Sequence, residues 1–126
     1  MDKKPTVLLI EDERDLSDAL KDGLELEGIS TLQAFDGETG LKIALEHKPY
    51  LILLDMYMPI MDGMSFLKSL REDAEYGAKA RVIILSNLAD KRKVDEAASL
   101  NVLDYIIKSN SSIQEIAEKV KILVLP

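Results

Sequence analysis

Four points in the chain place a chemically capable side chain directly after a short apolar run. Glu11 and Asp12 follow Val7 to Ile10, Asp55 follows Leu51 to Leu54, Ser86 follows Val82 to Leu85, and Lys108 follows a run from about Leu103 to Ile107. Carboxylates brought close together repel one another unless a cation binds among them. Oxygen-only donors suit a hard cation, and Mg2+ takes one or two carboxylates with water and phosphate oxygens completing its shell. A carboxylate can serve as nucleophile, a serine hydroxyl can donate to a phosphoryl oxygen, and a lysine supplies fixed positive charge. Phosphoryl transfer needs little beyond such positioning and charge neutralisation. Singly, each residue has a plainer reading, since strand-end Asp and Ser are commonly turn or helix caps and a lone Lys is commonly a solvated charge. The chemistry therefore depends on whether the fold brings the four points together.

The apolar pattern alternates between strand-like and helix-like segments, which signals a parallel α/β sheet. After the first run, a helix opens with the acids Glu13 and Asp15, carries Leu16, Ala19, Leu20, Gly23 and Leu24 on one face, and stops near Gly28. Residues 30 to 35 alternate as an edge strand does. Asp36 can cap a second helix that turns Leu41, Ala44 and Leu45 inward, with Pro49 beyond its end. Leu51 to Leu54 is apolar on both faces, as in a central strand. A third helix is expected from about Met64 to Arg71, bearing Leu67 and Leu70, before the buried strand Val82 to Leu85. A fourth helix, near Lys91 to Leu100, is weakly amphipathic through Val94, Ala97 and Ala98. After the fifth strand, Ser112 and Glu115 form a capping-box pattern, and Ile113, Ile116, Ala117, Val120 and Val124 make a helical stripe.

The resulting βαβαβαβαβα order predicts one α/β domain over residues 1–126, a doubly wound, flavodoxin-like (βα)5 sheet with strand order 2-1-3-4-5. In such sheets the site lies outside the carboxyl ends of the strands. The strands that end in Glu11-Asp12, Asp55, Ser86 and Lys108 are consecutive in that order. Neighbouring strands lie about 4.8 Å apart, so the four points can converge.

Composition removes several alternatives. The chain has 126 residues, 47% of them hydrophobic and 31% charged, which fits a soluble globular domain. No apolar run approaches the roughly 20 residues of a membrane span, and residues 1 to 6 lead into a strand without a signal-peptide pattern. A cytoplasmic location is expected. The formal charge of −7 opposes binding to a phosphate backbone, so no direct nucleic-acid binding is expected. There is no Cys, and His47 is the only His, which rules out Cys-ligated and multi-His metal sites.

Taken with these positions, Asp55-Met56-Tyr57-Met58-Pro59-Ile60-Met61-Asp62-Gly63 and Tyr105-Ile106-Ile107-Lys108 resemble the response-regulator receiver family along essentially the whole chain. The resemblance implies a phosphorylatable receiver of a two-component system. It implies that Asp55 is the phosphoacceptor. Mg2+ would be bound by Asp12, Asp55 and the backbone carbonyl of Tyr57, with Glu11 acting largely through water. Ser86 and Lys108 would contact the phosphoryl group. Tyr105 would be an aromatic switch that follows Ser86 and biases the surface of helix four, strand five and helix five, although its plain reading is a strand aromatic with a polar tip. A histidine kinase or phosphotransfer protein would donate the phosphoryl group. The receiver would catalyse only its own phosphorylation and dephosphorylation, and it is not otherwise expected to be an enzyme. A phosphorylation-dependent homodimer or a downstream effector would be its further partners. Met56, Met58 and Met61 are expected to fill gaps in the packing.

Three departures from the family pattern carry expectations. Ser109 follows Lys108 where the family most often has Pro, which predicts a different loop conformation. Asn101-Val102 stands in place of a small Gly-Ala pair, which predicts altered packing before strand five. Tyr57 and Leu88, each two residues beyond a site residue, are expected to screen attacking water and lengthen the phosphoryl lifetime. Lys91, Arg92, Glu115, Glu118 and Lys119 could serve an interface or form an ordinary solvated face. The rival readings are a pseudo-receiver, which would lack one of the site residues, and an Mg2+-dependent phosphatase, which would want a second acid and a cap segment. A flavin mononucleotide binder is a third rival and would want a phosphate-binding loop after strand one. The chain could be a complete regulator or the receiver of a longer one.

Overall fold

The computed structural model describes residues 5–86 and 91–124, and only the backbone of residues 91–94. Its strands are β1 (Thr6–Ile10), β2 (Ser30–Ala34), β3 (Leu51–Asp55), β4 (Val82–Ser86) and β5 (Asp104–Ile107). Its helices are α1 (Arg14–Leu26), α2 (Gly37–His47), α3 (Gly63–Arg71), α4 (Lys91–Ser99) and α5 (Ile113–Val124). The strands form one parallel sheet in the order β2-β1-β3-β4-β5, so the flavodoxin-like doubly wound topology is borne out. Residues 30–34 form an edge strand as expected.

The sheet separates two cores. Leu8, Ile10, Ile52, Leu54, Val82 and Ile84 point to the side covered by α2, α3 and α4, where Ala44, Leu67, Leu70 and Ala97 meet them. Val7, Leu9, Leu51, Leu53, Ile83 and Leu85 point to the other side and meet Leu20 and Leu24 of α1 with Ile116, Ala117 and Val120 of α5. The central strands are apolar at nearly every position because both of their faces are covered. A fully buried Leu or Ile contributes about 1.5–3 kcal/mol. The central strands supply many of these, enough to offset a locally costly site at one end of the sheet.

The local signals for helix boundaries mostly hold. Asp36 caps α2 by accepting from the Thr39 N–H at 2.8 Å. Ser112 and Glu115 close a reciprocal capping box before α5 at 3.0 and 3.1 Å. Gly28 follows α1 with φ +84°, where glycine carries no Cβ penalty. Asp62 caps α3 by accepting from the Ser65 N–H at 2.8 Å, which begins that helix one residue earlier than expected.

Three apolar assignments are corrected. Leu45 is exposed, because the buried line of α2 runs through Gly37, Gly40 and Ala44 and the next residue is turned about 100° away. Ala98 is exposed for the same reason, beside the buried Ala97. Leu103 precedes β5 and is 51% exposed. The Val94 side chain lies outside the described residues.

The Asn101-Val102 departure has a structural account. Asn101 takes φ +61°, a left-handed conformation that Asn tolerates better than most residues, while Val102 packs against the core. Arg71 then ties the region together. Its guanidinium donates to the carbonyls of Leu100 (2.8 Å), Gly77 (2.7 Å), Ala80 (2.7 Å) and Asn101 (3.1 Å). Among the described residues no helix is long and apolar enough to cross a membrane.

Arg71→Ala would leave these carbonyls without their charged donor and is expected to cost about 2–4 kcal/mol. Arg71→Lys, with a single point of donation in place of a planar fork, is expected to recover only part. Urea denaturation of both variants checks this, and wild-type stability in Arg71→Ala would refute it.

Candidate phosphoryl and metal site

Glu11 and Asp12 lie just beyond the carboxyl end of β1, and Asp55 closes the adjacent strand β3. Asp55 pairs in register with Leu85, one residue before Ser86 closes β4. Ser86 in turn pairs with Ile107, one residue before Lys108. Parallel register thus brings all four sequence points to one end of the sheet.

One carboxylate oxygen from each of Glu11, Asp12 and Asp55 lies within 4.8 Å of the other two, an arrangement that could hold a metal ion. Glu11, Asp55 and Ser86 are buried, while Asp12 is exposed. The Lys108 ammonium enters the same group, in contact with Glu11 and 3.4 Å from Asp55. Its side chain is only 8% exposed, so this pairing is not a surface ion pair weakened by water. The Tyr57 N–H donates to Asp55 Oδ1 at 3.1 Å, and the Glu13 N–H donates to Glu11 Oε2 at 3.0 Å.

Ionisation is strongly perturbed here. Burial pushes the Glu11 carboxyl up to about 7 against the lowering pull of Lys108 and the Glu13 N–H. Burial also raises Asp55, although the Tyr57 N–H and Lys108 oppose it. For Lys108 burial alone would favour the neutral amine, but contact with Glu11 and the negative charges of Asp55, Glu11 and Glu13 outweigh it and raise the group. Desolvated carboxyls and a lysine held charged by them form an electrostatically loaded pocket.

Tyr57, two residues beyond Asp55, is exposed. Leu88 lies outside the described residues, as do the side chains of Lys91 and Arg92. Tyr105 is partly buried and packs against the core on the α3–α4 side. Lys108–Asn110 form one turn of tight helix after β5, and the described residues contain no cis peptide bond. On α5, Glu115 is engaged in the capping box, Glu118 accepts from Gln114 at 3.4 Å, and Lys119 pairs with Asp104 at 2.7 Å. Glu13 was not anticipated as part of the site, yet it lies 3.9 Å from Lys108 and bonds Glu11 through its backbone. Its position next to the acidic pair was the available signal.

A family model for the response regulator receiver domain matches residues 7–121. The chain belongs to the response regulator receiver family. The receiver is 35% identical over 116 residues to the uncharacterized transcriptional regulatory protein YcbL of Bacillus subtilis (strain 168), covering 90% of this chain and 48% of that protein. It is 31% identical over 120 residues to the DNA-binding dual master transcriptional regulator RpaA of Synechocystis, covering 95% of this chain and 49% of that protein. The chain thus spans about half the length of the curated relatives it matches. Among solved structures, the Francisella response regulator 1452 receiver domain superposes with a TM-score of 0.83 at 34% identity, covering 95% of this chain and 96% of that one. The Vibrio cholerae chemotaxis protein CheY4 superposes with a TM-score of 0.87 at 20% identity, covering 97% and 100%, and supports the fold. The receiver is a signalling domain of two-component response regulators.

The receiver's ionisation pattern gives a signed expectation for divalent cations. The folded state holds a proton on Glu11 to about pH 7, against an ordinary value of 4.5. That group's contribution to stability is therefore fully present below its unfolded pKa and is lost as pH rises through 7. A divalent cation competes with the same proton and gains most where the carboxyls are ionised. The rise in melting temperature on adding MgCl2 should be small at pH 5.5 and several-fold larger at pH 8. A rise of equal size at both pH values, seen in thermal melts, would contradict this.

Proposed function

We propose that Asp55 accepts the phosphoryl group, with Mg2+ as the required cation. The observation that carries this reading is the approach of Glu11, Asp12 and Asp55 within 4.8 Å, with Lys108 3.4 Å from Asp55. Oxygens bound to one Mg2+ lie about 2.0–2.1 Å from it, hence within about 4.2 Å of one another. All three acids come close enough to share one ion, and the family resemblance implies that Asp12 and Asp55 bind it directly with Glu11 held through water. The backbone carbonyl of Tyr57 supplies a further ligand. When bound, Mg2+ would neutralise charge on the phosphoryl oxygens and let the carboxylates come together ionised.

The chain's own residues perform the transfer. An Asp55 carboxylate oxygen attacks phosphorus, a P–O bond forms, and the bond to the donor's nitrogen or acyl oxygen breaks with its electron pair leaving on the donor. Lys108 moves its donation from the carboxylates toward the incoming phosphoryl oxygens, and the Ser86 hydroxyl donates to another of them. The Tyr57 N–H, already bonded to Asp55 Oδ1, orients the carboxylate for attack by its other oxygen. Tyr105 follows Ser86 and biases the α4–β5–α5 surface between two states. We infer a histidine kinase or phosphotransfer protein as donor, and a homodimer or an effector as the reader of the modified state. The domain acts as one unit over 1–126 and catalyses only its own phosphorylation and dephosphorylation, in a cytoplasmic setting.

Incubation with acetyl phosphate and MgCl2 should give one phosphoryl adduct by intact mass, stable to acid and labile to base. Asp55→Asn should give none, and an undiminished adduct in that variant would sink the assignment. Lys108→Ala should slow formation by about 100-fold or more, as expected for removal of a charge that stabilises the transition state.

Tyr57 is 44% exposed beside the acceptor, consistent with a screen against water. Tyr57→Asn is expected to hasten loss of the phosphoryl group several-fold in a chase without donor. An unchanged rate would remove Tyr57 from that role.

A further inference from the structure

We propose that Gly37, the first residue of α2, is a positioning residue for the metal-binding loop between β3 and α3. The inference rests on the reading of Asp55 and Mg2+ given above and extends it to a residue on a different element. Gly37 is buried. A Cβ added there would lie 2.2 Å from the Met61 carbonyl oxygen and 2.9 Å from the Met61 Cβ. The first turn of α2 therefore abuts loop backbone, which cannot rotate aside as a side-chain tip can.

The helix cannot retreat from this contact. Asp36 caps it through the Thr39 N–H at 2.8 Å and accepts from the Thr39 hydroxyl at 3.1 Å. Gly40, one turn on, is pressed against the Ile10 side chain, and Ala44 is fully buried. The loop is tied from its other side. The Tyr57 N–H bonds Asp55 Oδ1, and the Gly63 N–H bonds the Met56 carbonyl at 3.1 Å. Between these anchors the Met61 N–H donates to the Pro59 carbonyl at 2.8 Å across Ile60, which has φ +71°. This three-residue turn is strained, and a β-branched residue at its centre makes it more so. Such a conformation persists only where its surroundings hold it.

Gly37 provides that hold by giving Met61 a close backbone seat. The Tyr57 carbonyl lies in the same tied segment, so a shift of Met61 reaches the metal ligand. An added methyl at position 37 requires about 1 Å of movement to restore ordinary contact, and ligand geometry is sensitive to displacements of that size.

The test uses the full chain and titrates MgCl2 alone by calorimetry, alongside urea denaturation. Gly37→Ala should weaken Mg2+ binding by about 10-fold or more, the range seen when groups that orient metal ligands are changed. Gly23→Ala, on α1 against Ile113 of α5 and on the other side of the sheet, should keep wild-type Mg2+ affinity whatever its effect on stability. Ile60→Gly relaxes the turn without a clash and should raise stability while lowering Mg2+ affinity, an opposition that a purely structural role would not give. Wild-type affinity in Gly37→Ala overturns the inference, and so does equal weakening in Gly23→Ala. If Gly37→Ala does not fold, Ile60→Gly decides, with unchanged affinity overturning it. A wild-type chain that binds no Mg2+ overturns the parent reading and this one together, whereas normal wild-type binding with a normal Gly37→Ala overturns this one alone.

Discussion

Carboxylates crowded at the end of two adjacent strands repel one another, and the rest of the structure is arranged around that repulsion. Glu11 and Asp55 are buried, Asp12 lies beside them, and Lys108 is the cation that reaches both buried acids. With all of them ionised, the group carries an excess of two negative charges, which a divalent cation would cancel. Without it, burial answers by holding Glu11 protonated up to about pH 7. A phosphoryl group taken up on Asp55, as proposed, would add further negative charge at the same point, so its uptake would be coupled to the cation by charge balance. The cluster is costly to the fold, and the two apolar layers across the sheet hold it in place.

The parallel sheet is what makes such crowding reachable. Adjacent parallel strands end at the same level, so single residues placed after separate apolar runs arrive side by side. The registers Asp55 with Leu85 and Ser86 with Ile107 set each successive site residue one step further along. Asp55 is thereby flanked by the acids that follow β1 and reached by the lysine that follows β5, across β4. Rigid strands fix these positions more closely than loops would, which suits a reaction whose catalysis is mostly placement.

The strand order and the convergence of the four positions at one end of the sheet were legible because they depend on patterns that a linear chain shows directly. Two-sided apolar runs mark central strands, and residues that follow them mark the functional edge. Ser112 with Glu115 and Asp36 with Thr39 acted through local bonds, so their caps were readable as well. What failed was finer. Leu45 and Ala98 sit one step of helix rotation from the buried line, and a periodicity of 3.6 does not settle boundary positions. The Arg71 contacts, which gather carbonyls from distant segments, and the Gly37 contact with Met61 are long-range. No local spacing announces them. At the Lys108-Ser109 departure the chain forms a short helical turn.

The residues that break local rules sort by purpose. Lys48 and Asn101 take positive φ at the ends of α2 and α4, where a left-handed residue is an ordinary way to leave a helix, and Arg71 secures the Asn101 carbonyl. Ile60 has no such excuse. It is β-branched, 76% exposed, and sits at φ +71° without a helix to terminate. Neither its packing nor its solvation favours that conformation, so the strain must be sustained by the anchors around it. Those anchors run to Asp55 through Tyr57 and to α2 through Met61. The strained turn and the buried acids therefore both adjoin Asp55. Departures from local preference concentrate where a chain trades stability for a task. Here the electrostatic departure is the crowding of Glu11, Asp12 and Asp55, and the backbone departure is the turn at Ile60 in the loop that leaves Asp55, so both concentrate at one end of the sheet.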